Sequence, residues 1–401
     1  MQPIQKITDE EICKECPKYL KSLFGAIFLV LSKLVKWIIG FEEIAVKTFD
    51  YFLQQFALDI QHLSEENPGA SISQQIVNYC SIETENFSIF NISHRAFVDV
   101  FMGCCVEGTI PRNIKDHVLC DEKILMRICR PAITALSFTS NLMLLKSIQY
   151  EYFDCIISAY LKSNLHYMYL QDWSAIQILI SNLDPELFLK YMLFNIAPSM
   201  QTPVNFETPL PSLLSVSELE LDYNMSKLLF YVYNALVERH YIGVADNPEF
   251  RLLQRQIIHS LAGEYQTIED IRNMDEIIGR VSFTTYSPDP VDRRALKPPF
   301  FNTVNMFCFV YYFLENLELQ DKILSLYKEY GSKFQPPDLL QLRDGFEGMN
   351  NFLYPNAFFD LIIHVLVDWF GNIRPSKTGS VVNLLLVSMS RRKTKNVFLS
   401  T

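Results

Sequence analysis

The chain has 401 residues, a formal net charge of −10 and 49% hydrophobic residues. It contains only 13 Gly but 30 Phe and 20 Tyr, a composition that favours a well-packed helical protein over a disordered one. The length is sufficient for two or three domains with substantial cores. The acidic balance argues against bulk binding of nucleic acid, which requires clustered Lys and Arg to neutralise phosphates.

The cysteines predict a reducing compartment. Their number is odd and most lie in apolar runs, a pattern of buried thiols rather than of a disulfide framework. The N-terminus opens with Thr8-Asp9-Glu10-Glu11 rather than with a basic segment, so no secretory signal peptide is predicted. We therefore expect a cytoplasmic or nuclear protein. The cysteines are Cys13, Cys16, Cys80, Cys104, Cys105, Cys120, Cys129, Cys155 and Cys308.

Residues 1–85 are predicted to form an N-terminal helical segment. Two apolar helices are expected at 18–40 and 41–63, followed by a loop at 64–71. The apolar run at 23–31 is about half the length of a membrane span. We interpret it as a buried core helix, and an amphipathic helix at a membrane surface is the alternative.

Residues 86–240 are predicted to form a helical scaffold. Within it, Pro198 to Pro211 contains four prolines and no helical pattern, which indicates a linker. The other predicted elements, in chain order, are a short strand at 86–92, a helix at 94–102 capped by Ser93, a loop at 108–118, helices over 121–169 interrupted at Pro131, and a helix at 216–240.

The stretch 172–193 of this scaffold predicts two helices with a sharp joint. Asp172 is expected to cap the first helix, and Asp184 the second, with Pro185 at its first position. Apolar residues at helical spacing predict one buried face on each helix. These faces comprise Trp173, Ile176, Ile180 and Leu183 in the first helix and Leu187, Phe188, Tyr191 and Met192 in the second.

The same stretch resembles a segment in the middle of the UBR-type N-recognin E3 ubiquitin ligases, the large ligases of the N-degron pathway. The residues that carry this resemblance are Asp172, Gln177, Ser181, Asp184-Pro185, Phe188-Leu189 and Met192-Leu193. Further similar segments occur in the same order along the chain. They are His94-Arg95, Glu238-Arg239, the run 255–261, Leu296-Lys297-Pro298 with Asn305 and the aromatic residues of 307–313, and 350–370.

The resemblance implies a small winged-helix domain at 246–300, followed by a C-terminal helical region at 301–401. In the first helix of that domain, Leu253, Ile257, Ile258 and Leu261 would bury one face. A second helix is expected after Thr267, a third at 274–281, and a wing near 287–290. Gln335-Pro336-Pro337 is predicted to be a linker, and 350–370 a helical pair split at Pro355. His94 and His259 are interpreted as a helix-start residue and as a helix-surface or packing residue.

The fold class expected from these patterns is mainly α, a multi-helical scaffold with a small winged-helix domain. The function that the resemblance implies is the scaffold portion of an N-degron ligase, which positions substrate-recognition and E2-binding modules. Its partners would be an E2 ubiquitin-conjugating enzyme and N-degron substrates, engaged through the full-length ligase. We expect no catalytic, cofactor-binding or metal-binding residue in this chain. Zinc would belong to the family's UBR box and RING, which these dispersed Cys and His residues do not supply.

The alternative function is a winged-helix nucleic-acid-binding protein or another helical protein-interaction module with no ubiquitin role, and the sequence offers little for a zinc site, for nucleic-acid binding or for a membrane. Cys13 and Cys16 have the spacing of a zinc ligand pair, but no second pair follows nearby. A winged helix that binds nucleic acid would present its third helix to phosphates, yet 274–280 carries two acids and one Arg, and only Arg293-Arg294 is favourable. A membrane-associated helix would depend on residues 20–40 alone. We therefore expect neither nucleic acid nor membrane among the partners.

Overall fold

A computed structural model describes the backbone of most predicted helices. The described residues are 26–27, 30–31, 33–66, 95–101, 119–129, 132–133, 166–196, 208–214, 221–238, 248–262, 282–285, 293–305, 308, 325, 328–329, 342 and 348–372. Several predicted features lie outside them: the strand at 86–92, the loop at 108–118, the break at Pro131, the second and third helices of the winged-helix domain, the linker at Gln335, and Cys13 with Cys16.

The described part of the chain is mainly helical, as predicted. Short helical segments at 33–39 and 95–101 accompany longer elements. The labelled elements are α1 (Glu42–Glu66), α2 (Glu122–Ile128), α3 (His166–Asn182), α4 (Pro185–Ile196), α5 (Leu210–Leu214), α6 (Leu221–Val237), α7 (Pro248–Ala262), β1 (Ser282–Thr285), β2 (Arg293–Leu296), a 3-10 helix (Pro298–Thr303), α8 (Gly348–Asn351) and α9 (Asn356–Asn372).

The joint between α3 and α4 is confirmed in detail. Asp184 lies between the helices, and its Oδ1 accepts hydrogen bonds from the backbone N–H groups of Glu186 (3.0 Å) and Leu187 (3.1 Å). Pro185 is the first residue of α4, where its missing N–H removes no helical hydrogen bond. A local sequence signal therefore determines this turn.

The predicted cap of the first of these helices is wrong. Asp172 does not cap it, because α3 begins at His166 and Asp172 lies well inside the helix with 2% of its surface exposed. The four residues of its predicted apolar face, Trp173, Ile176, Ile180 and Leu183, are all buried, and the burial extends beyond that face. Every residue from Gln171 to Ser181 is buried, so α3 is a central helix that is enclosed on all sides.

The chain divides into two compact units. The first comprises Met1–Leu228 and Gly345–Ile373, and the second comprises Leu229–Asp344 and Arg374–Thr401. In the first unit, α2 packs against α1 and α3, α4 packs against α3, α5 and α9, and α8 packs against α3. The approach of α8 is close, since a Cβ atom added to Gly348 would lie 1.7 Å from the backbone oxygen of Ser181.

Aromatic rings fill the spaces between these helices. Phe49 of α1 lies against Phe97 and Phe101 of segment 95–101, with ring centroids 5.1 Å and 5.6 Å apart. Phe188 of α4 packs edge-on against Phe352, with centroids 5.3 Å apart. The abundant Phe of the sequence thus contributes directly to the core of the first unit.

The second unit contains α7 and a two-stranded hairpin. Strands β1 and β2 are antiparallel, with Ser282 opposite Leu296 and Thr285 opposite Arg293. Helix α7 packs against β2. Ile257 and Ile258 of α7 are buried as predicted, while Leu253 and Leu261 are only half-buried.

Most other predicted boundaries agree with the structure within a few residues. The first two helices meet at a turn at Gly40 and Phe41, and Pro355 separates α8 from α9. The end of the proline-rich linker is wrong, since α5 begins at Leu210 and includes Pro211. Among the described helices, none is both long and apolar enough to cross a membrane.

Candidate functional site

A buried ion pair in the first unit joins segment 95–101 to α3. The guanidinium of Arg95 and the carboxylate of Asp172 form two hydrogen bonds, Nη1 to Oδ1 and Nη2 to Oδ2, the second at 3.0 Å. Their side chains are only 1% and 3% exposed. A paired fork of this kind fixes both distance and orientation, because both planar groups must face each other.

Further hydrogen bonds surround this pair. Arg95 also donates to the Oε1 of Gln171 (3.3 Å) and to the backbone oxygen of Met168 (3.4 Å). The Gln171 amide in turn donates to the backbone oxygen of Arg95 (3.1 Å) and to the carboxylate of Asp99. The result is a closed polar cluster, which we call the first network, in the apolar interior between two helices.

Cys129 lies beside the first network, and its thiol is poorly suited to react as a nucleophile. Its thiol donates a hydrogen bond to the backbone oxygen of Ala175 (3.3 Å), so the protonated form is the one that the structure accommodates. Burial raises the pKa of the Cys129 thiol well above its usual value, and the negative charge of Asp172 raises it further. A nucleophilic role needs the thiolate, so this residue is unsuited to thioester chemistry.

A second buried ion pair lies in the second unit, between the end of α6 and α7. Arg255 donates from Nε to Glu238 Oε2 (3.0 Å) and from Nη2 to Glu238 Oε1 (2.7 Å). Its Nη1 donates to the backbone oxygen of Thr303 in the 3-10 helix. One guanidinium therefore connects three separate pieces of chain.

His259 belongs to the same cluster, and its neighbours define its tautomer. Its Nδ1 lies 2.7 Å from the backbone oxygen of Arg255, which can only accept, so Nδ1 carries the hydrogen. Its Nε2 accepts the backbone N–H of Asn305 at 3.0 Å. His259 is fully buried, so it is a packing residue with specific polar contacts and not a helix-surface residue.

Asn305 completes this cluster, which we call the second network. Its side-chain amide donates to Glu238 Oε1 (3.0 Å), and its side-chain oxygen accepts from the hydroxyl of Tyr233 (3.2 Å). Asn305 thus uses its backbone N–H, its amide and its oxygen on three different partners. The chain that leaves the 3-10 helix is held at a fixed position against α6 and α7.

Glu238, His259 and Cys308 offer potential metal ligands within 4.8 Å of one another. The donor set does not suit a metal ion, however. The carboxylate of Glu238 already accepts from the cationic guanidinium of Arg255, and the lone pair of His259 Nε2 accepts from a backbone N–H. A metal ion would have to displace these donors and would meet the charge of Arg255 at close range. We therefore assign the cluster a structural role.

The structure brings together residues that the sequence pattern had placed in separate segments. Arg95 meets Asp172 in the first network, and Glu238, Arg255, His259 and Asn305 meet in the second. Gln177 and Ser181 of α3 are also buried, and the Ser181 hydroxyl donates to the backbone oxygen of Gln177 (2.6 Å). Most of the buried polar residues in the described part of the chain are therefore residues on which the resemblance depends.

Sequence reasoning missed three contributors: Gln171, Asp99 and Tyr233. The available signal was the presence of Gln171 and Asp172 inside an otherwise apolar helical run. A charged residue is rarely enclosed unless a partner of opposite charge reaches it, so this pattern predicts a buried ion pair better than a helix cap.

A scan of the sequence against models of protein families finds no match, and a search of curated proteins finds none either.

Proposed function

We propose that this chain is the scaffold portion of a UBR-family E3 ubiquitin ligase of the N-degron pathway. On this proposal, its helical body holds substrate-reading and E2-binding modules in register for ubiquitination and proteasomal degradation. The single observation that supports it most is the composition of the two buried networks. Residues from distant segments that resemble the family, in family order, contact one another through paired hydrogen bonds.

The physical support for a scaffold role is rigidity. Buried ion pairs contribute little net stability, because desolvation offsets the Coulomb attraction, but they penalise arrangements in which either partner is unpaired. Arg95 and Arg255 each fix the separation and angle of at least two helices or segments. A framework that positions other modules needs such fixed distances more than it needs reactive groups.

The winged-helix domain is part of this proposal. Helix α7 with the β1–β2 hairpin, whose connecting residues include Pro288 and Pro290, supports a domain of that kind at 246–300. Its role in the scaffold would be protein contact, because the segment predicted as its third helix carries two acids and one Arg. Such a charge is unsuited to phosphates.

Affinity capture tests the proposal. The tagged chain, captured from native lysate of cells that express it, should recover an E2 and other components of the ubiquitin pathway. Arg255→Met should reduce that recovery, since it leaves Glu238 buried without its cation. The matched control is Lys47→Met, which removes an ion pair on the surface of α1 and should leave the recovery unchanged. Recovery of no ubiquitin component, while a control ligase retains its E2, would contradict the proposal.

A reconstituted ubiquitination reaction tests whether the chain alone has ligase activity or serves only as a scaffold. Mixed with E1, E2, ubiquitin and ATP, the purified 401-residue chain should not accelerate ubiquitin chain formation. The described cysteines support this expectation, because Cys129 and Cys308 are buried, and only Cys120 among them is exposed. Discharge of an E2–ubiquitin conjugate by this chain alone would show that the scaffold assignment is wrong, and sensitivity to mutation of Cys13 and Cys16 would identify a zinc platform there.

A further inference from the structure

His259 of the second network is held between two backbone groups of opposite polarity. Its Nδ1–H donates to the backbone oxygen of Arg255 at 2.7 Å, and its Nε2 accepts the backbone N–H of Asn305 at 3.0 Å. His259 is fully buried. Only the neutral imidazole offers one donor and one acceptor, since the imidazolium is a donor at both nitrogens. The hydrogen bond with Asn305 therefore requires that His259 is uncharged.

A proton on Nε2 of His259 would meet donors instead of acceptors. It would point at the backbone N–H of Asn305, and Nη2 of Arg255 lies 3.4 Å from the same nitrogen. The guanidinium also carries a positive charge, which disfavours a second positive charge at this distance. The closed arrangement of the second network thus excludes the charged form of the ring on two grounds, hydrogen bonding and charge.

The acid closest to the ring is already engaged. An oxygen of Glu238 lies within 4.8 Å of a ring nitrogen of His259. Both carboxylate oxygens of Glu238 accept from Arg255, and one also accepts from the side-chain amide of Asn305. An imidazolium would have to compete with the guanidinium for this carboxylate, so Glu238 does not offset the cost of the new charge.

The remaining neighbours supply no counter-charge either. Cys308 offers a sulfur within the same 4.8 Å, which is a weak acceptor, and the Tyr233 hydroxyl donates to Asn305. The 3-10 helix that leads to Asn305 has no titratable side chain. The described side chains of β2, which packs against α7, are Ala295 and Leu296. Protonation of His259 is therefore tied to loss of its contact with Asn305.

We propose that His259 is a pH-sensitive latch on the chain that follows the 3-10 helix. Protonation of the ring breaks its hydrogen bond with Asn305, and residues 304–305 separate from α7. In the open form the ring reaches water, where an ordinary imidazole takes up a proton near a pH of about 6.5. Because the closed form is neutral and the open form is charged, acid shifts the population toward the open form. This latch does not depend on the proposed ligase role.

Proton uptake determines the direction and the size of the effect. Below a pH of about 6.5 the open form binds one proton more than the closed form, so the ratio of open to closed chains rises about tenfold per pH unit. Above that pH neither form binds the proton, and the ratio is constant. Ordinary carboxylates take up protons only near a pH of about 4, so the range between about 7.5 and 5.5 reports on imidazoles.

Amide hydrogen exchange of the full chain tests the latch, because the backbone N–H of Asn305 is released when the latch opens. The quantity compared is the protection factor, the ratio of the intrinsic to the observed exchange rate, which removes the chemical effect of pH on exchange. Between a pH of about 6.5 and 5.5, the protection factor of Asn305 should fall about tenfold. Ile258, inside α7, should keep its protection factor, since the opening is local.

His259→Gln is the matched variant. Its amide oxygen can accept from the backbone N–H of Asn305 but takes up no proton, so the protection factor of Asn305 should be the same at both pH values. The control is His364→Gln, which removes a histidine of α9 and should leave the tenfold fall unchanged.

The latch is refuted if the wild-type chain protects Asn305 equally at both pH values, or if the fall persists in His259→Gln. It is also refuted if α7 loses protection as much as Asn305, since the second unit then unfolds as a whole. Should His259→Gln fail to fold, nitrogen NMR of the wild-type ring decides the matter. A neutral ring in chains that protect Asn305 supports the latch, and an imidazolium in such chains overturns it.

Discussion

The ion pair between Arg95 and Asp172 gives the sharpest quantitative test of the first network. Arg95→Met keeps an unbranched stem of similar shape but removes the guanidinium, which leaves the carboxylate of Asp172 charged inside the protein. Loss of one partner of a buried pair costs about 3–5 kcal/mol. Asp172→Leu should cost a similar amount, because it leaves the guanidinium of Arg95 charged and enclosed. Simple addition predicts a loss of about 6–10 kcal/mol for the double variant.

The structure predicts a much smaller loss for that double variant. Replacement of both partners removes both buried charges. A cost of about 1–3 kcal/mol remains, because Gln171 Oε1 and the backbone oxygen of Met168 lose the hydrogen-bond donor that Arg95 supplied. The two substitutions should therefore be coupled by roughly 5 kcal/mol. A single substitution that prevents folding, rescued by the second, would make the same point.

The assay must report on the first unit alone, because a chain with two compact units need not unfold in one step. Trp173 adjoins Asp172 and is buried, so its fluorescence during urea unfolding reports on this unit. Trp37 and Trp369, the other tryptophans, are replaced by Phe. The control Lys47→Met breaks an exposed pair and should not shift the midpoint. Additive single losses, or a loss below about 1 kcal/mol for Arg95→Met, would refute the assigned role.

Three further predictions concern the first unit. Phe188→Ala should lower the free energy of unfolding by about 3–5 kcal/mol in chemical denaturation, because the ring is fully buried; a melting temperature within a degree or two of wild type would contradict this. Gly348→Ala should lower the free energy of unfolding by about 1–3 kcal/mol or more, because its Cβ would overlap a backbone oxygen of α3. Gly40→Ala is the control and should be tolerated, since the nearest atom to its Cβ would lie at 3.4 Å. Equal melting temperatures for the two variants would show that α8 can move away from α3. Above the ordinary thiol pKa of about 8.5, the unfolded chain releases the proton of Cys129 while the folded chain retains it, so the free energy of unfolding should fall by about 1.4 kcal/mol per pH unit. Cys129→Ala should lack this decrease. If the free energies of unfolding of wild type and Cys129→Ala change with pH in parallel, the pKa of Cys129 is not raised.

Local signals in the sequence predicted the helices and several of their boundaries. The Asp184-Pro185 cap and the split at Pro355 depend on residues within one turn of the boundary, so they can be predicted without the fold. The resemblance identified Arg95 and Asp172 as members of related segments, but not as partners.

The contacts of those residues could not be predicted, because their partners are distant in sequence. Asp172 was expected to cap a helix, a role that a local rule favours, yet its partner Arg95 lies 77 residues earlier. The same holds for His259, whose Nε2 accepts a hydrogen bond from the backbone N–H of Asn305, 46 residues later in the chain. Propensity and periodicity describe one element at a time, whereas burial of a charge depends on which elements meet.

We propose that this chain acts as a scaffold in N-degron recognition, and the turnover of a reporter protein in cells is the most direct test of that proposal. Two reporters that differ only in the N-terminal residue, one destabilising and one Met, are followed after translation is stopped in cells that express this chain and in cells from which it is deleted. The account predicts that deletion lengthens the half-life of the destabilised reporter alone, and that Arg255→Met restores turnover less well than Lys47→Met. Equal half-lives in both cell lines for both reporters would contradict the assignment.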